Sequence, residues 1–456
     1  MQKVFAKSAL LDVGWAQDVR ISFEHGIIKK IEKSTQANSD DLNLGDQILL
    51  PSIANVHSHS FQRAMAGLSE RRGPSTDSFW TWRDVMYRFL DHLSVEDIHA
   101  IAAFTFMEMA EAGYSAVGEF HYVHHQPGGS PYDNPSETSF QIINAATEVG
   151  LGLTHLPVLY RFGGVDEGEL KGGQRRFGSD IGLFHTMVEG AQHALKEAPS
   201  DYNLGVAPHS LRAVNPALLS DVSTMLPDAP IHMHIAEQLA EVGDVEARFG
   251  ARPVEWLLDN QDVNEHWCLI HCTHMTQQET SNLAQSGAVA GLCPITEANL
   301  GDGIFNGQHF VSERGNFGIG SDSDLRISLS EELRTLEHAQ RYASNQRTVL
   351  AKPNSSNAQF LIERSARGGA QALGRNAGAL EIGKLADFMT IQPDRFLADD
   401  LPNSLALDYW LFAARDEGVT NLWSAGRHIV KDGQHAKREA LTRDFLASIK
   451  KLRALL

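Results

Sequence analysis

Between residues 51 and 376 the chain repeats one rhythm, and that rhythm restricts the fold more than any other feature. Eight short apolar runs, at residues 53–57, 116–120, 152–158, 204–208, 231–235, 268–271, 288–292 and 317–321, alternate with stretches of helical periodicity. Parallel strands need a crossover of about a dozen residues or more, usually a helix, so this alternation specifies a parallel sheet. Eight such units close into a (β/α)8 barrel of roughly 250 residues or more. A doubly wound open sheet would need a glycine-rich phosphate turn after its first strand. Here the first run leads into Ser58-His59-Ser60, so the TIM-like α/β barrel is the expected fold. Helix starts agree with it. Ser94, with Asp97 three residues on, predicts a capping box opening a helix over residues 95–112. Pro253 suits the first turn of a helix over residues 253–260, and residues 331–343 predict another.

The two ends of the chain have a different texture. Residues 19–23 and 27–32 read as strands of a hairpin turning at Gly26. Residues 383–391 and 421–430 are strand-like, and Lys431-Asp432-Gly433 is a turn signal. Neither flank is long enough to bury a core alone. They are expected to pair into one small discontinuous β-sandwich from residues 1–50 and 377–437, with a barrel over 51–376 and a C-terminal helix over 438–456. Residues 67–93 make an unusually long first connection, of the kind that forms a lid.

Charge and cysteine content narrow the partners. With 57 acidic against 39 basic side chains the formal charge is -18, which repels nucleic acid and anionic membrane surfaces alike. No run approaches 18 apolar residues, so no membrane-spanning helix is expected. The opening residues lack the apolar stretch of a secretion signal, and three cysteines cannot frame a disulfide scaffold, so a reduced cytoplasmic setting is expected. Cys268 and Cys272 lie near His271 and His274, a spacing that suggests a zinc knuckle; with no second cysteine pair, buried thiols are the simpler reading.

In a barrel of this kind the reacting groups sit at the C-terminal ends of the strands. The first strand ends His57-Ser58-His59, and residues two apart on a strand face one way, so both imidazoles can meet one ion. The fifth ends His232-Met233-His234, with Glu237 three residues beyond. His232 would point deeper and reads as a core histidine. The sixth run ends at His271, and the eighth in Ser321-Asp322, where a carboxylate straight after a buried strand is costly unless a cation meets it. No lysine or glutamate at the ends of strands three and four offers to bridge a second ion, so one metal is expected.

This set, His57, His59, His234, His271 and Asp322, resembles the amidohydrolase superfamily, and His234-Ile-Ala-Glu237 resembles its mononuclear deaminase branch. Within that branch the stretches 57–67, 118–125, 208–214, 234–238, 291–303 and 320–323 are similar to the formimidoylglutamate deiminase family. Two positions depart from the pattern: Ser52, where glycine is usual, and Asp324, where histidine is expected. The resemblance implies a single Zn²⁺, with Fe²⁺ acceptable to the same donors, held by His57, His59, His234 and Asp322. It implies catalytic roles for Glu237, His271 and Asp322, and substrate binding by Gln62, Arg83, Tyr122, His209 and Arg212. The implied reaction is hydrolysis of N-formimino-L-glutamate to N-formyl-L-glutamate and ammonia in histidine degradation, by a homodimer. Arginine suits a dicarboxylate substrate because its planar fork donates paired bonds. Arg83, Arg212 and a divalent ion would together make the mouth locally positive. The alternatives are a purine or pterin deaminase with the same metal machinery, or a non-catalytic scaffold. His124 and His125 are expected to be structural.

Overall fold

The computed structural model describes residues 1–68, 70, 86–392, 401–414 and 419–455. One of its two nine-stranded sheets is the expected barrel. The strands are β6 (Ile53–Ser58), β7 (Tyr114–His121), β8 (Gly152–Leu159), β9 (Asn203–Leu204), β10 (Ala207–Pro208), β11 (Ile231–Ile235), β12 (Trp267–His271), β13 (Val289–Leu292) and β14 (Asn316–Ile319). They run in the order β10-β8-β7-β6-β14-β13-β12-β11, with β9 beside β8. A parallel bridge between Val206 and Ile231 joins the two ends of that path and closes the barrel. Most are buried along their whole length, as both-face-covered parallel strands must be.

The expected fourth strand, residues 204–208, is in fact two short pieces. Gly205 interrupts it because the chain passes so close to Pro230 that a Cβ there would meet its carbonyl oxygen at 2.5 Å. Helix boundaries follow their caps. The helix Val95–Ala112 opens on the Ser94–Asp97 capping box and stops at Gly113, whose φ of 105° is left-handed. Pro253–Asn260 begins with its proline at the first position, and the predicted 331–343 helix runs over Leu329–Ser344.

The flanks build a second, mixed sheet. It contains β1 (Gln2–Leu11), β2 (Gly14–Glu24), β3 (Ile27–Glu32), β4 (Leu42–Asn43), β5 (Ile48–Pro51), β15 (Phe388–Ile391), β16 (Val419–Ser424), β17 (Arg427–Lys431) and β18 (Gln434–His435). The β2–β3 turn uses His25 and Gly26 at φ 50° and 77°, the left-handed pair a tight hairpin requires. The run 421–430 is two strands rather than one, folded back at Ala425–Gly426. This sheet bends around its own core of residues such as Val4, Ile21, Phe23, Phe388 and Trp423, and an Ile27–Leu385 bridge draws its distant parts together. The helix Arg438–Arg453 lies on the barrel, where Phe445 stacks on Phe104 at 4.0 Å. Among the described residues no helix is long and apolar enough to cross a membrane.

Candidate active site

Four buried donors converge at the C-terminal mouth of the barrel. His57 and His59 leave β6 on one face, with their Nε2 atoms 3.2 Å apart. Oδ1 of Asp322, just past β14, lies 3.5 Å from the first and 3.4 Å from the second. His234 of β11 packs its ring 4.7 Å from that of His57. One donor atom from each of the four lies within 4.8 Å of the others. Ligands about 2.0–2.2 Å from a tetrahedral ion stand roughly 3.3–3.6 Å apart, so the spacings among His57, His59 and Asp322 fit such an ion.

The surroundings tune these donors as a metal site does. His59 Nδ1 donates to the Phe120 carbonyl at 3.0 Å and His234 Nδ1 to the His209 carbonyl at 3.2 Å, which leaves each Nε2 lone pair free to coordinate. Burial, with the neighbouring imidazoles, lowers all three histidines, His59 to about 3, so they stay neutral ligands. A buried carboxylate among neutral imidazoles is costly until a cation joins it. The donor set therefore fits a divalent metal.

Beside it stand the groups that can move protons. His271 Nε2 lies 3.9 Å from Glu237 Oε1 and 3.9 Å from Asp322 Oδ2. Burial pushes the Glu237 carboxyl up, although His271 and Arg212 pull the other way. Burial opposes a charge on His271, but Glu237, the hydrogen-bonded Glu297 and Asp322 outweigh it and raise it. Ala236, His271 and Asp322 all adopt left-handed φ, at 52°, 71° and 52°. Such residues cost on the order of 1–3 kcal/mol each, and here the bends turn strand ends into the mouth.

The cavity above these groups is lined in part by Gln62, Tyr122, His209 and Arg212. Gln62 Nε2 donates to the Tyr122 hydroxyl at 2.7 Å, and Arg212 Nη2 approaches Glu237 Oε2 at 3.5 Å. Arg83 lies outside the described residues, as does most of the long connection expected to form a lid. His232 is a core residue, donating from Nε2 to the Ala372 carbonyl at 2.7 Å. His124 and His125 likewise bond to the carbonyls of Val158 and Gly178. All three cysteines are free and buried. Among the described residues, Glu237, Glu241, Glu297, Asp302 and Asp322 gather around His271 and Arg212, while Arg83, which the expected positive field also counts, lies outside them. A bound cation would offset that acidic charge.

Sequence reasoning missed an apolar wall of Met86, Tyr87, Tyr160 and Phe177, and also Glu297, whose Oε1 lies 3.3 Å from His271 Nδ1. Asp324, noted only as a departure, is fully buried and meets Ser58 Oγ at 3.0 Å, behind the two histidines of β6. No motif spacing marks these residues; only the 291–303 stretch around Glu297 carried a signal.

The amidohydrolase family model matches residues 48–429, which take in the barrel and, of the second sheet, β5, β15, β16 and part of β17. The chain belongs to the amidohydrolase family. Within it, the model for the N-terminal domain of formimidoylglutamate deiminase HutF matches residues 1–43 of this amidohydrolase. The formimidoylglutamate deiminase of Pseudomonas aeruginosa is 44% identical over 98% of each chain. A 5-methylthioadenosine/S-adenosylhomocysteine deaminase of Shouchella clausii is 27% identical, over 91% of this chain and 89% of its own. The crystal structure of an amidohydrolase from Brucella melitensis superposes with a TM-score of 0.95 at 45% identity, covering 99% of this chain and all, 100%, of the other.

Proposed function

We propose that this amidohydrolase is a zinc-dependent formimidoylglutamate deiminase, converting N-formimino-L-glutamate and water to N-formyl-L-glutamate and ammonia in histidine degradation. The observation that carries the reading is the convergence of four buried donors with Glu237, His271 and Arg212 at one barrel mouth. His57, His59, His234 and Asp322 hold the ion; three imidazoles and a carboxylate suit Zn²⁺, and Fe²⁺ accepts them too. When bound, it supplies Lewis-acid activation of water near neutral pH. His271 and Asp322 orient the attacking water and take up its proton. Glu237 delivers protons to the formimino nitrogen, so that the carbon–nitrogen bond breaks and the nitrogen leaves as ammonia. A carboxyl raised by burial is suited to that exchange. Arg212 and Arg83 pair with the two substrate carboxylates, and Gln62, Tyr122 and His209 complete the pocket by hydrogen bonding.

The reading assigns residues 51–376 to the catalytic barrel, 1–50 and 377–437 to the small β domain, and 438–456 to the C-terminal helix. It expects a cytoplasmic homodimer. Ammonia release from N-formimino-L-glutamate, compared with N-formimino-aspartate, formamidine and S-adenosylhomocysteine, tests the substrate. Strong preference for the first is expected, and equal rates on the three amidines would defeat the two-carboxylate pocket. Glu237→Gln should lower turnover by about 10²–10⁴-fold while the bound metal stays at one per chain.

A further inference from the structure

The geometry points to Glu297 as the positioning residue that aims His271 at the reacting centre, a role that rests on the deiminase reading above. The imidazole of His271 is held across its width. Nδ1 lies 3.3 Å from Glu297 Oε1, and Nε2 faces the gap between Glu237 and Asp322, 3.9 Å from each. A carboxylate is an acceptor only, so it keeps a proton on Nδ1 in either charge state of the ring, and in the neutral imidazole the lone pair that takes a proton from water is on Nε2. It also stabilises the imidazolium formed when that proton arrives, which is the part the third member of a nucleophile–base–orienter set plays.

Glu297 is anchored well enough to do this. The same Oε1 accepts the Cys293 N–H at 2.8 Å, and the backbone N–H of Glu297 donates to the Cys293 carbonyl at 2.9 Å. The Asp302 N–H donates to the Glu297 carbonyl at 3.0 Å, so the short helix Pro294–Leu300 is tied at both ends around it. His271 needs such a support. It ends β12 in a left-handed conformation, φ 71°, and Cys272 after it is left-handed as well, at 52°. A ring leaving so bent a backbone is fixed by what it touches, and Glu297 is the acceptor at its Nδ1. A competing use of the same side chains is a second cation among His271, Cys293 and Glu297, whose donor atoms also lie within 4.8 Å of one another. Against it, Oε1 already holds the Cys293 N–H, and burial keeps the Cys293 thiol protonated by raising it well above the usual range.

The test uses the metal-loaded full chain, with Glu297→Gln and Glu297→Ala beside the parent and His271→Asn. Turnover, KM, metal per chain, thermal midpoint and the imidazole ¹H–¹⁵N spectrum are measured for each. Glu297→Ala should lose roughly 10–100-fold in kcat with KM little changed, and Glu297→Gln, which keeps an acceptor, should recover part of it. The His271 Nδ1–H signal, identified by its loss in His271→Asn, should vanish in Glu297→Ala and persist in Glu297→Gln. A Glu297→Ala enzyme with parental kcat, equal losses in the two variants, or a second metal that departs with Glu297 would each overturn the proposal. The spectrum does not depend on substrate. If the parent releases no ammonia from N-formimino-L-glutamate the deiminase reading fails, and the contact is still judged by its signal.

Discussion

At the floor of the barrel Arg375 lies buried between Asp201 and Asp387, with Nη2 2.9 Å from the Asp387 carboxylate. Arg427, from the second sheet, adds a bidentate pair to Asp201 at 2.6 and 2.8 Å and donates from Nε to the Gly150 carbonyl. Ser424 accepts the Gly152 N–H beside it. Burial alone would raise Asp201, but the two guanidiniums outweigh it and hold the carboxyl below its usual range. The mouth uses the same residue types differently. There, among the described residues, Glu237, Glu241, Glu297, Asp302 and Asp322 share His271 and Arg212, and burial pushes Glu237 and Asp302 up. The floor closes its own charge balance and so clamps the small domain to the barrel. The described residues of the mouth leave negative charge that a cation would balance, and they store backbone strain beside it.

The sharpest way to break this comparison is to remove a donor at the mouth. Asp322→Asn or His57→Ala should cut turnover by roughly 10³-fold or more, since several kcal/mol of metal-based stabilisation are lost at 1.36 kcal/mol per tenfold. Metal content should fall with it, while the thermal midpoint of chelator-treated protein should not. A large drop in the stability of that metal-free protein would show the mouth to be part of the structural clamp. Next in size is the opposite experiment. Arg375→Met leaves buried carboxylates short of a partner and should cost about 3–5 kcal/mol in urea unfolding. The protein that remains folded should turn over at the parental rate. A matching fall in kcat would join the two ends energetically.

How these regions stood in the sequence follows from the range of the interactions that make them. The barrel was legible because each strand and helix carries its own short-range pattern, down to the Ser94–Asp97 cap. The convergence of the candidate donors was legible because His57-Ser-His59 and His234-Ile-Ala-Glu237 fold their geometry into spacings of two and three residues. The floor was invisible, because Asp201 meets residues 174 and 226 positions away. The break at Gly205 depends on the passing Pro230 carbonyl, and Glu297 on a strand end 26 residues earlier. The left-handed φ at His271 and Asp322 had no glycine to announce it. The acidic side of the mouth was hidden for a related reason: motif reading counts arginines, whereas five carboxylates from the segments after three different strands arrive there together.

Arg212 offers a smaller effect that sharpens the picture of the mouth. Its Nη2 is 3.5 Å from Glu237 Oε2, a contact that a substrate carboxylate would replace. Arg212→Met should raise KM for N-formimino-L-glutamate by about 10–100-fold, the loss of one charge-assisted bond of about 1.5–3 kcal/mol. Formamidine, with no carboxylate, should be almost unaffected. Equal losses on both would mean that Arg212 serves Glu237 rather than the substrate.

The smallest expected effect is a difference in pH slope between the two ends, read by urea unfolding of chelator-treated protein between pH 7 and pH 3. At the floor, Asp201 has a folded value below its unfolded one near 3.9, so its pairing contributes stability above that value and loses it as the pH falls through the folded one. The stability gap between parent and Arg427→Met should be full at pH 5 to 7 and close below about pH 4. At the mouth, Glu237 has a folded value above its unfolded one near 4.3, so its charged form burdens the metal-free fold at neutral pH. That burden lifts as the pH drops through the folded value, and the parent should gain on Glu237→Gln from pH 7 towards pH 4. The two gaps must therefore change with opposite sign on acidification. Slopes of the same sign would mean that the mouth, like the floor, balances its own charge without a cation, and the contrast between the two ends would be lost.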